Sequence, residues 1–236
     1  MPAQKLSATQ TAPAYSIVGM YSEPPGAQFV RHVAILAEDT QLEFSRPAAV
    51  FHMGPPLVAG ERSRKTPRAK RECPVHLLGS VPLDLEDNEG IEDWLAEVDK
   101  ERMPENPFKR YIVKPHADWY RAPETGRRLY RRFSCAGFVL ECYRYINVDL
   151  VCTDDSDVPD VDLATLVNAY PEMEREEVLA RLGLTRNDLG IPGGGPWRIV
   201  LAGYVFHALD RVTEEDPRPA AYSPDSVADA HFPGQR

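Results

Sequence analysis

Hydrophobic and polar positions change period along this chain, from strand-like runs in the first third to helical spacing later. Residues 15–21 form a short run of strand formers closed by Glu23-Pro24-Pro25-Gly26, and residues 28–37, 41–45 and 48–52 follow with turn formers between them. Such runs in close succession predict an antiparallel meander. Side chains alternate across a strand, so His32 shares a face with Val30, Ala34 and Leu36 and is expected to be largely buried. Residues 75–81 and 108–113 read as further strands. Then the period lengthens. Ile91, Trp94, Leu95 and Val98 predict a helix over 91–102, and Phe138, Val139, Cys142, Tyr145 and Ile146 recur at helical spacing from Cys135, with Ser134 as the N-cap. Helices are also predicted at 163–169 and 172–182, followed by a turn at Thr185-Arg186-Asn187-Asp188 shaped like a capping box. Residues 197–209 are apolar enough to be buried, as helix or strand. The whole reads as an α+β fold.

Composition bounds the function. The 236 residues are 43% hydrophobic and 27% charged, ordinary for one globular domain. Residues 1–13 read as a disordered leader, 14–212 as a single domain, 54–74 as a long Pro-, Gly- and Arg-rich loop able to serve as a lid, and 213–236 as a Pro-rich tail. A net charge of −9 and a pI near 5.2 argue against nucleic acid as a partner, because neutralising phosphates needs a basic surface. The local exception is Arg62, Arg64, Lys65, Arg68, Lys70 and Arg71, a solvated loop first and an anion or membrane-surface contact second. With no run of 18 apolar residues and no secretory leader, no transmembrane segment is expected and a cytoplasmic location follows. Four cysteines are too few for a disulfide scaffold at this length, which suits a reducing compartment.

The strongest chemical signal is Cys135. A cysteine at a helix N-terminus meets unsatisfied N–H groups and the positive end of the helix dipole, which favour the thiolate; the alternative is a small buried hydrophobe. Arg121, Arg127, Arg128, Arg131 and Arg132 lie just before it, either as a solvated helix face or as groups that hold a thiolate or an anionic substrate. A thiol nucleophile needs an imidazole, and that imidazole needs a third polar group to orient it. Among six histidines, His231 lies in the tail, and His76 and His116 sit beside prolines in loop-like surroundings. His32 and His207 remain. Cys73-x-x-His76, completed by Cys142 or Cys152, would be half a zinc site but lacks a second spaced pair. The acidic residues 154–162 lack the glycine and distal glutamate of a calcium loop, and 190–196 lacks the Gly-Lys-Ser/Thr of a phosphate loop. No metal or cofactor is expected.

Arg31-His32-Val33-Ala34-Ile35-Leu36, followed by Val50-Phe51-His52-Met53-Gly54-Pro55, resembles the histidine strand and following strand of NlpC/P60 cysteine hydrolases. Phe133-Ser134-Cys135-Ala136-Gly137-Phe138-Val139 resembles their cysteine helix, where Asp-Cys-Ser is commoner than Ser-Cys-Ala. Here the histidine precedes the cysteine, the order of the circularly permuted branch that includes lecithin retinol acyltransferase-like proteins. The resemblance implies a papain-like antiparallel sheet packed on the cysteine helix, with extra C-terminal helices. It also implies Cys135 as nucleophile, His32 as base and His52 as the third residue, with Glu43 as the alternative if 41–45 is the strand beside His32. The spacing of His32 and His52 exceeds the family's and implies an insertion. The expected activity is a thiol hydrolase or acyltransferase that attacks an amide or ester through an acyl-thioester, on a peptide-like amide or an acyl-lipid. A rival pairs Cys135 with His207 in standard order on a strand over 199–207. The alternative from another class is a noncatalytic binding or scaffold module that keeps the papain-like fold.

Overall fold

The computed structural model describes residues 9–21, 30–43, 47–54, 71–74, 76–170 and 176–230. Its largest sheet has five strands, β2 (Ile17–Tyr21), β3 (Val30–Leu36), β5 (Pro47–Phe51), β6 (Arg71–Pro74) and β7 (His76–Gly79), in the order β6-β5-β3-β2-β7 with every pairing antiparallel. A flat five-stranded sheet would hold its edges about 19 Å apart, whereas the one residue between Pro74 and His76 lets the chain span at most about 7 Å. The sheet therefore curls until β6 and β7 serve as two halves of one strand, the first paired with β5 and the second with β2. Residues 71–74, expected within the long loop, belong to this sheet; residues 55–70 of that loop, which carry the basic run apart from Arg71, lie outside the described residues.

Two smaller pairings revise the expected boundaries. β1 (Thr9–Ala12) pairs with β4 (Thr40–Glu43) antiparallel, so the end of the expected leader is strand, with Ala12 buried. β8 (Ala117–Arg121) and β9 (Arg128–Phe133) form a hairpin leading directly into the cysteine helix. Residues 108–113, expected as a strand, are a 3₁₀ turn at Pro107–Arg110 followed by a single bridge from Tyr111 to Phe133. Asn106 starts that turn by accepting from the Phe108 N–H, and Pro107 fixes the first φ.

Helix α1 (Leu85–Lys100) begins earlier than its apolar stripe suggests. Asp84 and Asp87 form a reciprocal capping box, at 2.9 and 3.1 Å, that carries the helix through a polar first turn. Its buried stripe of Ile91, Trp94, Leu95 and Val98 packs on α2 (Cys135–Tyr145), capped by Ser134, whose Oγ accepts from the Gly137 N–H at 2.9 Å. α2 is apolar almost all round because it also touches β3, β8, β9 and α5 (Ala202–Asp210). Tyr145, expected in the stripe, is exposed, and Tyr143 is buried instead, donating to the Tyr15 carbonyl at 2.5 Å.

β10 (Asp160–Val161) pairs with β11 (Trp197–Arg198), and α3 (Leu163–Ala169) and α4 (Glu176–Arg181) lie between them in sequence. The described part of the expected tail, up to residue 230, packs against the rest of the chain. Asp229 is buried and accepts from the Tyr222 hydroxyl and the Asp225 and Ser226 N–H groups. Ala230 presses on Gly203 of α5 so closely that a Cβ there would meet its carbonyl at 2.0 Å.

Candidate functional site

The site is built where the N-terminus of α2 meets the edge of β3. Two approaches fix that N-terminus. The Ser134 N–H donates to the His116 carbonyl at 2.8 Å, and Gly137 lies so close to the same carbonyl that a Cβ would come within 1.8 Å of it. Only a glycine leaves room there. Cys135, the first residue of α2, is 0% exposed, and its Sγ lies 4.0 Å from the Arg31 carbonyl oxygen. The Val33 N–H also addresses the sulfur. The thiol thus abuts the main chain on both sides of His32.

A bulge shapes this stretch of β3. The register on β2 slips between Met20↔His32 and Tyr21↔Val30, leaving Arg31 as the extra residue. Val30 consequently joins the main core with Val33 and Ile35, not the second cluster that holds Ala34 and Leu36, which corrects the face expected for Val30. His32 is buried as expected.

His52 follows β5, which pairs with β3 at Ile35↔Phe51 and Leu36↔Val50. The two imidazoles meet edge to face, His32 Nε2 and His52 Nδ1 being 2.5 Å apart. That separation is a hydrogen bond. Two nitrogens sharing one tetrahedral zinc, at bonds of about 2.0–2.1 Å, would stand about 3.3 Å apart. Of the two alternatives for the third residue, the structure brings His52 to His32; Glu43 lies on β4, paired opposite Thr9 rather than beside β3. The excursion of β4 to pair with β1 accounts for the long interval between the histidines.

Two phenols complete the surroundings of the sulfur. The Tyr170 hydroxyl, from the residue capping α3, is 4.0 Å from Sγ, and the Tyr111 hydroxyl also acts on it. Neither was legible as a site residue, since no spacing links them to Cys135. Burial pushes the thiol above its usual range, and the N–H and hydroxyl groups around it pull the other way. Desolvation outweighs the helix N-terminus, the reverse of the expected depression.

The arginines before α2 act elsewhere. Arg131 pairs with Glu101 and with Glu97 at 3.8 Å and lies over Trp94 and Trp119. Arg132 donates to the Lys109 and Asp188 carbonyls, Arg121 to the Gly126 carbonyl, and Arg128 lies over Trp119. Arg131 clamps the hairpin on α1 together with Arg110, a buried guanidinium that sequence reading missed and that donates to Glu101 and to the Val98 carbonyl, each at 2.8 Å.

The rival histidine fails on secondary structure. Residues 202–210 are helix rather than strand, and His207 stacks on Tyr222 with ring centroids 5.9 Å apart. Cys73 and His76 lie on β6 and β7, and their side chains are outside the described residues. In the acidic segment, Asp155 and Asp160 pair with Lys114 and Arg198 at 3.0 and 2.8 Å. His116 faces Glu141 at 3.4 Å. Clefts of about 540 and 380 Å³ are lined by residues other than Cys135, His32 and His52. No helix among the described residues is long and apolar enough to cross a membrane. No family model, curated protein or solved structure matches the chain.

Proposed function

We propose that this protein is a thiol hydrolase or acyltransferase, with an amide as the favoured substrate bond, and that it retains a permuted papain-like arrangement. The observation that carries the reading is the Cys135 thiol set against the main chain flanking His32, whose ring is hydrogen-bonded to His52 at 2.5 Å. Cys135 attacks the acyl carbon, His32 takes the proton, and His52 fixes the tautomer and orientation of His32. Because Nε2 of His32 is held by His52, Nδ1 is the nitrogen that would take the thiol's proton, while in the resting structure Sγ faces the Arg31 carbonyl and the Tyr170 hydroxyl. The Cys135 N–H at the start of α2 supplies one donor to the oxyanion. Water or a second acceptor then releases the acyl group, from a peptide-like amide or an acyl-lipid. A reducing, cytoplasmic setting suits Cys135, Cys142 and Cys152, which are free among the described residues.

One observation favours a second reading. The thiol is wholly buried, as expected of a noncatalytic binding or scaffold module in which Cys135 is a core residue. Acylation separates the two. Folded protein is treated with p-nitrophenyl acetate and the acetyl group is mapped by mass spectrometry. The enzyme reading predicts an acetyl-thioester on Cys135 that is lost in Cys135→Ser and slowed in His32→Ala. Labelling of the half-buried Cys152 and of lysines alone would favour the scaffold.

A further inference from the structure

The groups recorded at the Cys135 sulfur among the described residues are neutral. The Arg31 carbonyl from β3 and the Tyr170 hydroxyl from the end of α3 each lie 4.0 Å from it, and the Val33 and Ala136 N–H groups also address it. No carboxylate, ammonium or guanidinium is among them. The Arg31 carbonyl oxygen decides the resting state. It can only accept a hydrogen bond, so at 4.0 Å it is served by an S–H and would repel a thiolate. Full burial acts in the same direction, since a charge removed from water without an opposite charge in contact is strongly disfavoured.

We infer that Cys135 rests as a neutral thiol with its S–H directed at the Arg31 carbonyl, and that it yields its proton to the histidine pair only as it attacks an acyl carbon. The inference rests on the nucleophile reading above and names how that nucleophile is held in reserve. In the attacking step the S–C bond forms, the carbonyl π pair moves to oxygen, and the sulfur's proton passes to His32. Collapse of the adduct breaks the C–N or C–O bond, and the same proton departs on the leaving nitrogen or oxygen. The Tyr170 phenol suits both states: its O–H can donate to a sulfur lone pair in the resting site, and that bond strengthens as negative charge develops. A thiol so held is poorly reactive toward oxidants and alkylating agents, which act on thiolates, and is called into reaction by acyl donors.

The experiment measures thiolate absorbance in the far ultraviolet, wild type minus Cys135→Ser, from pH 5 upward, with p-nitrophenyl acetate acylation followed in the same samples. The expected result has three parts. No thiolate signal from Cys135 is present at pH 6. Iodoacetamide at pH 6 labels Cys135 at least tenfold more slowly than Cys152. Acylation of Cys135 nonetheless proceeds and falls by about 10²-fold or more in His32→Ala, the scale of a lost general base. A Cys135 thiolate signal at pH 6 overturns the inference and leaves the nucleophile reading standing. Failure of Cys135 to acylate at any pH, in protein whose circular dichroism is native, overturns that reading and the inference with it.

Discussion

The two cysteines of α2 occupy one buried stripe of one helix, yet their surroundings differ. Cys142, two turns along, is as fully buried as Cys135, and desolvation pushes its thiol upward with only the field of Glu92 adding to the effect. No described residue is recorded as hydrogen-bonding to it. At Cys135 the same desolvation is opposed by two N–H groups and two phenols, and the neighbouring strand carries a hydrogen-bonded histidine pair. On the proposed reading, position in a helical stripe therefore does not separate a nucleophile from a core residue. The difference comes from what other elements deliver: the bulged edge of β3, the end of α3 and the bridge at Tyr111.

This contrast can be broken at several points. Cys135→Ser is expected to abolish acetyl transfer from p-nitrophenyl acetate, by about 10³-fold or more, whereas Cys142→Ala leaves the rate within about twofold. Equal losses would mean that the helix as a whole, and not the N-terminal site, governs reactivity. Gly137→Ala comes next in size. Its Cβ would collide with main chain at His116, which has no flexible side chain to move, so we expect a loss of about 3 kcal/mol or more in urea unfolding. Cys142→Ala removes one buried sulfur and should cost about 1 kcal/mol, read from the same transition. Gly90→Ala is the smallest. At the other end of α2 its Cβ meets the Ile146 side chain, and the gain in helix propensity offsets that contact to leave a net change within about 1 kcal/mol.

Much of the local structure was legible because it rests on local physics. Ser134 caps α2 and the stripe from Phe138 to Cys142 is buried, as side-chain periodicity and capping chemistry require. The strands at 15–21, 28–37, 41–45 and 48–52 appear within a few residues of their expected ends. Readings failed where nonlocal contacts decide. Residues 108–113 are rich in strand formers, but Pro107 and the Asn106 cap start a 3₁₀ turn there. Charge on the Arg128–Phe133 strand looked available to a thiolate, whereas Glu101, Glu97, Trp94 and Trp119 engage much of it from a helix and strand that periodicity cannot place beside it. At the site, the family resemblance implied His52 beside His32 from its local context, and the two rings are hydrogen-bonded. The choice over Glu43 needed the pairing of β4 with β1. The direction of the Cys135 shift needed the burial that only the assembled α2, β3 and α3 create.

The account turns on Cys135, His32 and His52 acting as one unit, and a double-mutant cycle on Cys135 acylation tests that most directly. Single-turnover rates with p-nitrophenyl acetate would be measured for wild type, His32→Ala, His52→Ala and the double variant. If His52 works only by orienting His32, the His32→Ala loss is about 10²-fold or more, the His52→Ala loss is smaller, and the double variant is no slower than His32→Ala alone. A His52→Ala loss that multiplies in full with that of His32→Ala, or rates that move with neither, would contradict it.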